Sequence, residues 1–303
     1  AARAFRVAVD ARVRTGLGSR ARAGTAWRHT AVAAEAATRA APAASSSSPP
    51  PPEPLALTRD AGVPRDLEAW RSLCVLVDKP QGWTSFDVVN YIRKVTKRAG
   101  VKKVGHAGTL DPMATGLLLL LVGKATKQQD TFMGLPKRYT GTMKLGEATA
   151  SYDAESEVIA SEPWENVGDA ELEMAAAKLT GDIEQFAPMY SAVKVGGKRL
   201  YELARKGLEV ERKKRAVHVA NFDVKRDEHD KQLVHFDIAC SKGTYIRTLA
   251  HDLGCEVGSG AHLVALRRES IGEHDVRDAF DVKELQNLLA EAHEAAAAAT
   301  DAA

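Results

Sequence analysis

The sequence predicts an α+β fold. Strand-like and helix-like segments are mixed along the chain, without the strict strand–helix–strand repeat that is typical of a doubly wound parallel sheet. The 303 residues are 45% hydrophobic, which suffices for one large domain or two small ones. One run is apolar at every position, and such a run indicates a strand that is buried on both faces.

The strands are predicted from two kinds of apolar pattern. The run between Gly116 and Gly123 is continuous, as expected of a buried strand, whereas apolar and polar residues alternate from Tyr139, as expected of a half-buried one. Two later segments are separated by a polar turn and predict a pair of neighbouring strands. The predicted strands span residues 73–78, 117–122, 139–145, 217–224, 233–239 and 263–266.

Local signals mark where the helices begin and end. Thr84 and Asp87 have the spacing of a capping box, and the apolar residues behind them recur at helical intervals. Basic residues near the end of this helix suit the helix dipole, so a solvated basic face explains them as well as RNA contact does. Glycines follow two other helices. The predicted helices span residues 85–98, 169–179, 244–253 and 281–292.

The first 52 residues differ in composition from the rest. They hold eight arginines, no lysine and two acidic residues, and they end in four serines and four prolines. An arginine-rich, acid-poor leader without a secretory apolar core is typical of an organellar transit peptide, and the alternative is a plain disordered tail. We therefore expect residues 1–72 to comprise a transit peptide and a disordered Ala/Ser/Pro-rich linker.

The three cysteines, Cys74, Cys240 and Cys255, lie far apart and form no C-x-x-C pair. This argues against a structural zinc site or a disulfide framework and fits a reducing compartment. No apolar run approaches the ~20 residues that a membrane helix needs. Hence neither a metal nor a membrane partner is predicted.

A basic segment stands out in a body of nearly balanced charge. Residues 188–215 hold nine basic and three acidic residues, with Tyr190 and Tyr201 among them and Gly196-Gly197 as a break. A basic hairpin or loop with aromatic residues suits RNA phosphates and exposed bases, and the alternative is a solvated loop. The candidate RNA-binding residues are Lys194, Lys198, Arg199, Arg205 and Lys206.

The motif GHAGTLDPMATG, residues 105–116, places Asp111 in a glycine-rich loop directly before the apolar strand. Pro112 restricts Asp111 to an extended backbone, and Gly108 and Gly116 permit turns that a side chain would block. The alternative for an isolated Asp-Pro is a solvated surface turn. Since the strand behind it ties this loop to the core, Asp111 is the leading candidate for chemistry.

Several motifs together resemble the TruB family of tRNA pseudouridine synthases. They occur in order: GHAGTLDP, ATG, an apolar strand, GKATK, KRY at 137–139, PMYSAVK at 188–194 and SKGTYIRT at 241–248. The resemblance covers residues 73–268. It implies a mainly antiparallel sheet split by a catalytic cleft, a catalytic domain over residues 73–272, and isomerisation of the T-loop uridine of tRNA without a cofactor.

The resemblance also implies roles for individual residues. The expected catalytic residues are Asp111, Arg247 and Tyr139. Asp111 is the nucleophile, Arg247 lies beside it, and Tyr139 offers a flat face to the target base and a hydroxyl for later proton transfer. His106 is expected to fill the space of the flipped nucleotide. Tyr245 and Leu266 match positions that line the uracil site. The basic segment matches a thumb-like insertion that grips the T-arm, and no obligatory protein partner is inferred.

Two departures from the family pattern shape further expectations. Residues 147–158, EATASYDAESEV, look like plant and cyanobacterial members, which favours a chloroplast over a mitochondrion. Many bacterial members add a C-terminal PUA domain of ~50 residues or more, whereas residues 273–303 predict an acidic helix and an Ala-rich tail. Contacts with the acceptor side of tRNA are therefore in doubt.

Other functions are weighed against this one. A non-catalytic RNA-binding protein on the same scaffold would tolerate the loss of Asp111, Tyr139 or Arg247, and all three are present. A guide-RNA-dependent synthase of the dyskerin type would be expected to carry a PUA domain and a basic C-terminus. Dehydrogenase and kinase functions are unsupported, because neither glycine-rich nucleotide motif occurs in its strand–helix context.

Overall fold

The computed structural model describes residues 54–208 and 210–301 of the chain. The α+β prediction is confirmed: helices pack around an 11-stranded, mainly antiparallel sheet. The strands are β1 (Leu55–Leu57), β2 (Ser72–Lys79), β3 (Val104–Ala107), β4 (Thr115–Gly123), β5 (Lys137–Leu145), β6 (Glu147–Thr149), β7 (Val158–Ser161), β8 (Gly181–Phe186), β9 (Lys194–Val195), β10 (Lys198–Arg199), β11 (Lys214–Arg226), β12 (Leu233–Cys240), β13 (Ala261–Ile271), β14 (His274–Asp275) and β15 (Phe280–Asp281). The α-helices are α1 (Ser85–Arg98), α2 (Gln129–Gly134), α3 (Asp169–Lys178), α4 (Leu200–Ala204), α5 (Ile246–Glu256) and α6 (Val282–Asp301).

The sheet has the order β1-β2-β4-β13-β5-β12-β11-β8, and it consists of two halves. The halves meet where β4 and β13 run parallel, and in the described residues that pairing covers two positions, Thr115 opposite Arg267 and Gly116 opposite Arg268. The neighbouring antiparallel pairs extend over many more residues. The sheet is therefore split beyond this short junction, and the loop before β4 lies at the split.

Strand β4 is buried on both faces, as its apolar run predicts. Leu118 and Leu120 pack into the core formed with α1 and α6. Leu117 and Leu119 point to the opposite face, where Phe132 of α2 covers them. All four leucines have no exposed surface, so β4 anchors the loop that precedes it to the densest part of the molecule.

Glycines occupy both ends of β4 because no larger residue fits. Gly116 has a φ of +101°, and a Cβ there would lie 2.3 Å from the backbone oxygen of Arg268. Gly123 has a φ of +62°, and a Cβ there would lie 2.2 Å from the backbone oxygen of Arg71. Side chains avoid both the conformation and the space, so each end is restricted to glycine.

Two predicted helices show how local signals and packing combine. Helix α1 has the predicted bounds and the capping box of Thr84 and Asp87. Helix α6 begins close to its predicted start but runs through the Ala-rich tail to Asp301, since alanine has the highest helix propensity. Val282 and Leu285 of α6 are buried in the core that α1 also covers, so the acidic segment is an integral part of the fold.

The structure differs from the predicted boundaries in three places. Strand β1 pairs in parallel with β2, and Trp70 is fully buried, so the fold includes residues that were assigned to the linker. The start of the glycine-rich motif belongs to β3 rather than to a loop, because it pairs with β4. Strand β13 is longer than predicted, because it pairs with β5 along its whole length, through its polar residues as well as its apolar ones. The predicted transit peptide and the Ser/Pro-rich stretch lie outside the described residues.

The predicted paired strands are confirmed as β11 and β12, which are antiparallel, and the predicted helices in the middle of the chain as α3 and α5. None of the helices in the described part of the chain is long and apolar enough to span a bilayer.

Candidate active site

The loop between β3 and β4 carries Asp111 and is held on both sides of it. The backbone N–H of Leu110 donates to Ser85 Oγ at 2.8 Å, and that hydroxyl donates to the Leu110 carbonyl at 3.0 Å. The backbone N–H of Gly82 donates to the Pro112 carbonyl at 2.8 Å. Because both neighbours of Asp111 are fixed, its carboxylate has a defined position at the split in the sheet.

Arg247, in the first turn of α5, joins Asp111 to a second carboxylate. Its Nε lies 3.0 Å from Asp111 Oδ2, and its Nη1 lies 3.2 Å from Asp153 Oδ2. The guanidinium also donates to the carbonyls of Ser151 and Tyr190 at 2.9 and 2.8 Å. The Arg247 and Asp153 side chains are 5% and 1% exposed, whereas Asp111 is 36% exposed. Asp111 is therefore the member of this network that a ligand can reach.

Hydrogen bonds from neighbouring residues of the same turn fix the position of Asp153. The Ser151 hydroxyl and the backbone N–H of Glu155 both donate to Asp153 Oδ1, the latter at 3.0 Å. The Thr149 hydroxyl donates to the Asp153 carbonyl at 2.7 Å. One carboxylate oxygen of Asp153 thus accepts hydrogen bonds from the turn, and the other forms the ion pair with Arg247. A buried ion pair is stable only when its remaining hydrogen-bonding positions are filled in this way.

The network controls the protonation of Asp111. Burial raises the pKa of the Asp111 carboxyl above its ordinary value, the Arg247 guanidinium opposes that increase, and the negative charge of Asp153 adds to it. Since a nucleophile or a general base must be ionised, the contact with Arg247 favours the reactive form of Asp111.

Lys79, at the end of β2, is hydrogen-bonded to the loop that carries Asp111. Its side chain is fully buried, and Nζ donates to the carbonyls of Trp83 at 2.6 Å, Pro80 at 3.1 Å and Pro112 at 3.4 Å. Burial lowers the pKa of Lys79 to about 8, while the charge of Asp111 opposes that decrease. The ammonium group therefore ties the residue after Asp111 to the end of the neighbouring strand.

Tyr139 and Leu266 form an apolar wall beside this loop. Both are 8% exposed, and they belong to the same core cluster as Leu110 and Met113 of the loop. Burial raises the pKa of the Tyr139 phenol, and the positive charge of Arg268 opposes the increase. The structure thus brings two predicted site residues next to the Asp111 loop, with the phenol in its neutral form.

His106 lies on β3, next to a buried arginine. Arg268 is 1% exposed and donates to the carbonyls of Leu117 at 2.7 Å and Gly108 at 3.1 Å. Burial lowers the pKa of His106, and the charge of Arg268 lowers it further. The His106 carbonyl accepts from Gln129, while its buried Nδ1 has no hydrogen-bond partner in the described residues. The His106 ring, five residues before Asp111 in the sequence, is therefore neutral and has one nitrogen without a hydrogen-bond partner in the described residues.

Tyr245 precedes α5 and is fixed through its backbone. Its N–H donates to Gln185 Oε1 at 3.1 Å, and its carbonyl accepts from Gln185 Nε2 at 3.3 Å. Within the described part of the chain, neither Tyr245 nor His106 makes a hydrogen bond or ion pair with Asp111 or Arg247. Their predicted contacts with a substrate base stay predictions.

The basic segment contains a short hairpin, which is compatible with both predicted alternatives, RNA binding and a solvated surface segment. Strands β9 and β10 pair antiparallel around Gly196 and Gly197, whose φ angles of +59° and +81° fit a two-residue hairpin turn. Two arginine guanidinium groups lie 5.8 and 5.4 Å from the centre of the Tyr201 ring. In the described residues, none of the five candidate RNA-binding side chains forms an ion pair, and all five are exposed: Lys194, Lys198, Arg199, Arg205 and Lys206.

Three residues of the site were not identified from the sequence. Asp153 lies in the middle of residues 147–158, the stretch that we noted as a departure from the family pattern, and an acidic residue in such a polar stretch gave no signal by itself. Lys79 is the last residue of an apolar strand, and Arg268 lies within a strand that begins with apolar residues. A charged residue at such a position is the signal that could have identified both. A charged residue within a strand of the core requires partners, and both residues use backbone carbonyls.

The arrangement suits chemistry by a single carboxylate. Asp153 lies behind Arg247 and is buried, so it cannot act as the second carboxylate of a glycosidase-like pair. Over residues 54–208 and 210–301, no group of three or more His, Cys, Asp or Glu side chains is placed to hold a metal ion. Asp111 is placed to act as a nucleophile or a base on a group that enters the split beside it.

Comparison with protein families agrees with this site. Residues 95–246 match the model of the TruB family pseudouridylate synthase N-terminal domain. Residues 247–301 match the tRNA pseudouridylate synthase B C-terminal domain, so α6 falls within a matched domain. The first match contains Asp111, Tyr139 and Asp153, and the second begins at Arg247.

Individual relatives are similar over most of the fold. The tRNA pseudouridine synthase B of Opitutus terrae is 47% identical over 216 residues, which are 71% of this chain and 87% of that protein. The protein of the same name from Parabacteroides distasonis is 45% identical over 215 residues, or 70% of this chain and 91% of that one.

Among solved structures, a Cbf5–Nop10–Gar1 complex contains a similar chain, with a TM-score of 0.55 and 27% sequence identity. The match covers 74% of this chain and 56% of that chain, so this protein spans little more than half of that neighbour. Family models, relatives and fold agree, and the chain belongs to the TruB family of pseudouridylate synthases.

Proposed function

We propose that this enzyme isomerises the T-loop uridine of tRNA, at position 55 in tRNA numbering, to pseudouridine, with Asp111 as the nucleophile. The observation that carries the proposal is the contact of Asp111 with Arg247 at the split in the sheet, where Asp111 alone of the network is open. The names of the relatives, tRNA pseudouridine synthase B, support tRNA as the substrate.

The isomerisation breaks the uracil N1–C1′ bond and forms a C5–C1′ bond, so the atoms of the substrate are conserved and no electrons are gained or lost. N1 gains a proton and C5 loses one. In the route through C1′, an ionised Asp111 forms an ester bond to C1′ as the N1–C1′ bond breaks, and the wall of Tyr139 and Leu266 retains the released uracil. After the base rotates, C5 bonds to C1′ and displaces the Asp111 carboxylate, which leaves the enzyme unchanged. A base that is stacked in RNA must first be extruded to reach this pocket.

The basic hairpin is the part of the molecule that we assign to the T-arm. Its exposed lysines and arginines suit RNA phosphates, and contacts with phosphates orient the RNA without reading its sequence. Tyr201 and its two flanking arginines offer a stacking surface for an exposed base. Selection of one uridine then depends on the pocket rather than on the hairpin.

The proposal is tested by incubating the purified protein, without any other protein or RNA, with an unmodified tRNA transcript and mapping pseudouridine at single-nucleotide resolution. We expect one modified site, at position 55, and none when that uridine is replaced by cytidine. Modification at other positions would contradict the assigned substrate.

Two further outcomes would favour the alternatives. Tight tRNA binding without turnover would favour a non-catalytic RNA-binding protein. Turnover that requires an added guide RNA would favour a guide-dependent synthase, so the reaction with protein and transcript alone separates these cases.

We also infer import into an organelle, with the chloroplast favoured. Support comes from the composition of the leader and from residues 147–158, because the leader itself lies outside the described residues. A fluorescent fusion of residues 1–72 is expected to enter plastids in plant cells. A diffuse cytosolic signal would reject the inference.

A further inference from the structure

The turn that presents Asp153 contains a strained residue. Tyr152 has a φ of +63°, and it is the one non-glycine residue with a positive φ in the described part of the chain. Aromatic residues avoid this region, and such strain persists only where surrounding contacts impose it. Tyr152 directly precedes Asp153, so whatever imposes this conformation also sets the direction of the Asp153 side chain.

An aromatic stack is the side-chain contact that accompanies the strain. The Tyr152 and His251 rings have centroids 4.0 Å apart and planes inclined by 8°. His251 lies on α5, four residues after Arg247, and residues at this spacing share a helix face. One face of α5 therefore holds the turn at two adjacent points, with Arg247 on Asp153 and His251 on Tyr152.

The imidazole of His251 contributes a flat face rather than a hydrogen bond. Its Nδ1 is buried and has no hydrogen-bond partner among the described residues, and its Nε2 lies 3.8 Å from the Cys255 sulfur, a weak contact. Burial lowers the pKa of His251, which keeps the ring neutral. A phenyl ring at this position should serve the stack equally well.

Backbone contacts also reach this turn and form the competing explanation. The Tyr152 carbonyl accepts from the N–H of Leu263 at 3.0 Å, and the N–H of Ala154 donates to the Leu263 carbonyl at 2.9 Å. These bonds anchor both sides of Asp153 to β13. They do not involve the Tyr152 ring, so glycine could keep them while relieving the strain.

We propose that Tyr152 is a positioning residue for the isomerisation, which acts by stacking on His251 and thereby holding Asp153 against Arg247, the partner of Asp111. The proposal rests on the proposed function. Tyr152 does not touch the reacting atoms. It determines where Arg247 points, because the Asp153 carboxylate and the Ser151 carbonyl of the same turn both bind that guanidinium.

The first experiment compares Tyr152→Phe, Tyr152→Ala and Tyr152→Gly in single-turnover reactions with tRNA. Phe keeps the ring and should stay within about twofold of the parent rate, whereas Ala and Gly should each lose about tenfold, the upper end of what an aromatic pair contributes. The Kd for tRNA should not change. A Tyr152→Gly rate equal to the parent rate would show that the backbone alone holds the turn and would overturn the proposal.

The second experiment asks whether Tyr152 acts through Asp153. In an Asp153→Asn background, Tyr152→Ala should cost less than about twofold, because contacts that act as a unit are not additive. A full tenfold loss in that background would refute the assigned route. His251→Phe should match the parent, and His251→Ala should match Tyr152→Ala.

A measurement that is independent of turnover separates this inference from the proposed function. Hydrogen exchange of the peptide over residues 149–156 should accelerate in Tyr152→Ala and not in Tyr152→Phe, since opening of the turn exposes the Glu155 N–H that now binds Asp153. Unchanged exchange in Tyr152→Ala would overturn the proposal even if tRNA turnover were absent from the parent enzyme.

Discussion

The site at the split and the basic hairpin both depend on charged residues, but they use charge in opposite ways. Around Arg247 the charges are paired and fixed by several hydrogen bonds, and those of Arg247 and Asp153 are buried. On the hairpin they are exposed, and in the described residues they have no acidic partners. A charge in the first region is an element of a specific geometry, whereas a charge in the second adds to a field that attracts phosphates. Substitutions should therefore affect rate in one region and binding in the other.

The largest effect should come from Asp111. Asp111→Asn removes the charge with little change of shape, and we expect at least a thousandfold loss of pseudouridine formation, roughly 4 kcal/mol. Binding of tRNA should stay within about tenfold, because phosphate contacts carry most of the affinity. Quantitative mapping of position 55 and a filter-binding titration measure the two quantities. Appreciable turnover by Asp111→Asn would contradict the proposal that Asp111 is the nucleophile.

The next effect concerns the buried partner of Asp111. Arg247→Met leaves two acidic groups without their cation, and breaking a buried ion pair costs about 3–5 kcal/mol. Both the single-turnover rate and the midpoint of thermal unfolding should fall, the rate by at least about a hundredfold. Arg277→Met is the matched control, since Arg277 is 84% exposed in its pair with Asp275 and should change neither.

The acid side of the pH profile should report the same network. Burial raises the pKa of Asp111, so the ionised form is lost as the pH falls through a value above the ordinary ~3.9 of aspartate, and the rate should fall with it. Asp153→Asn removes a charge that adds to the increase, so the midpoint should move to lower pH even though the plateau rate is reduced. Asp182→Asn, at a 94% exposed side chain, should leave the midpoint in place. A shift in the opposite direction for Asp153→Asn would contradict the assigned charges.

A moderate effect is expected on the hairpin. Alanine at Lys198, Arg199, Arg205 and Lys206 should flatten the dependence of tRNA binding on salt, by up to about 0.7–0.9 units of slope for each lost phosphate contact, and raise KM more than it lowers kcat. A matched variant replaces four exposed lysines elsewhere: Lys178, Lys225, Lys231 and Lys283. Equal slopes for the two variants would mean that the hairpin is an ordinary solvated loop.

The smallest effect should separate whole tRNA from an isolated T-arm stem–loop. If the hairpin and the cleft grip the T-arm, both RNAs should be modified with kcat/KM values within about tenfold of each other. A preference for whole tRNA above about a hundredfold, roughly 2.7 kcal/mol, would place important contacts elsewhere on this chain.

The sequence predicted the site to the extent that it depends on local patterns. Asp111 was indicated by Pro112, the flanking glycines and the apolar strand, and the structure places it as expected. Asp153 could not be found in this way, because its role depends on a turn that packs on α5, almost a hundred residues away. The same limit applies to β1, whose three residues are a strand because β2 offers an edge. Non-local pairing decides such elements, and one sequence does not display it.

The glycines at the two ends of β4 also determine how the strand is aligned with its neighbours. Strands that alternate between polar and apolar residues are aligned by that alternation, but a strand that is apolar on both faces could shift without exposing anything polar. In β4, a shift by one or two residues would put Thr115, Ala114 or a leucine where a Cβ comes within 2.3 Å of backbone atoms. Gly116 and Gly123 therefore fix the alignment that an unpatterned strand lacks. Since the loop with Asp111 ends at this strand, two residues without side chains set the position of the Asp111 carboxylate.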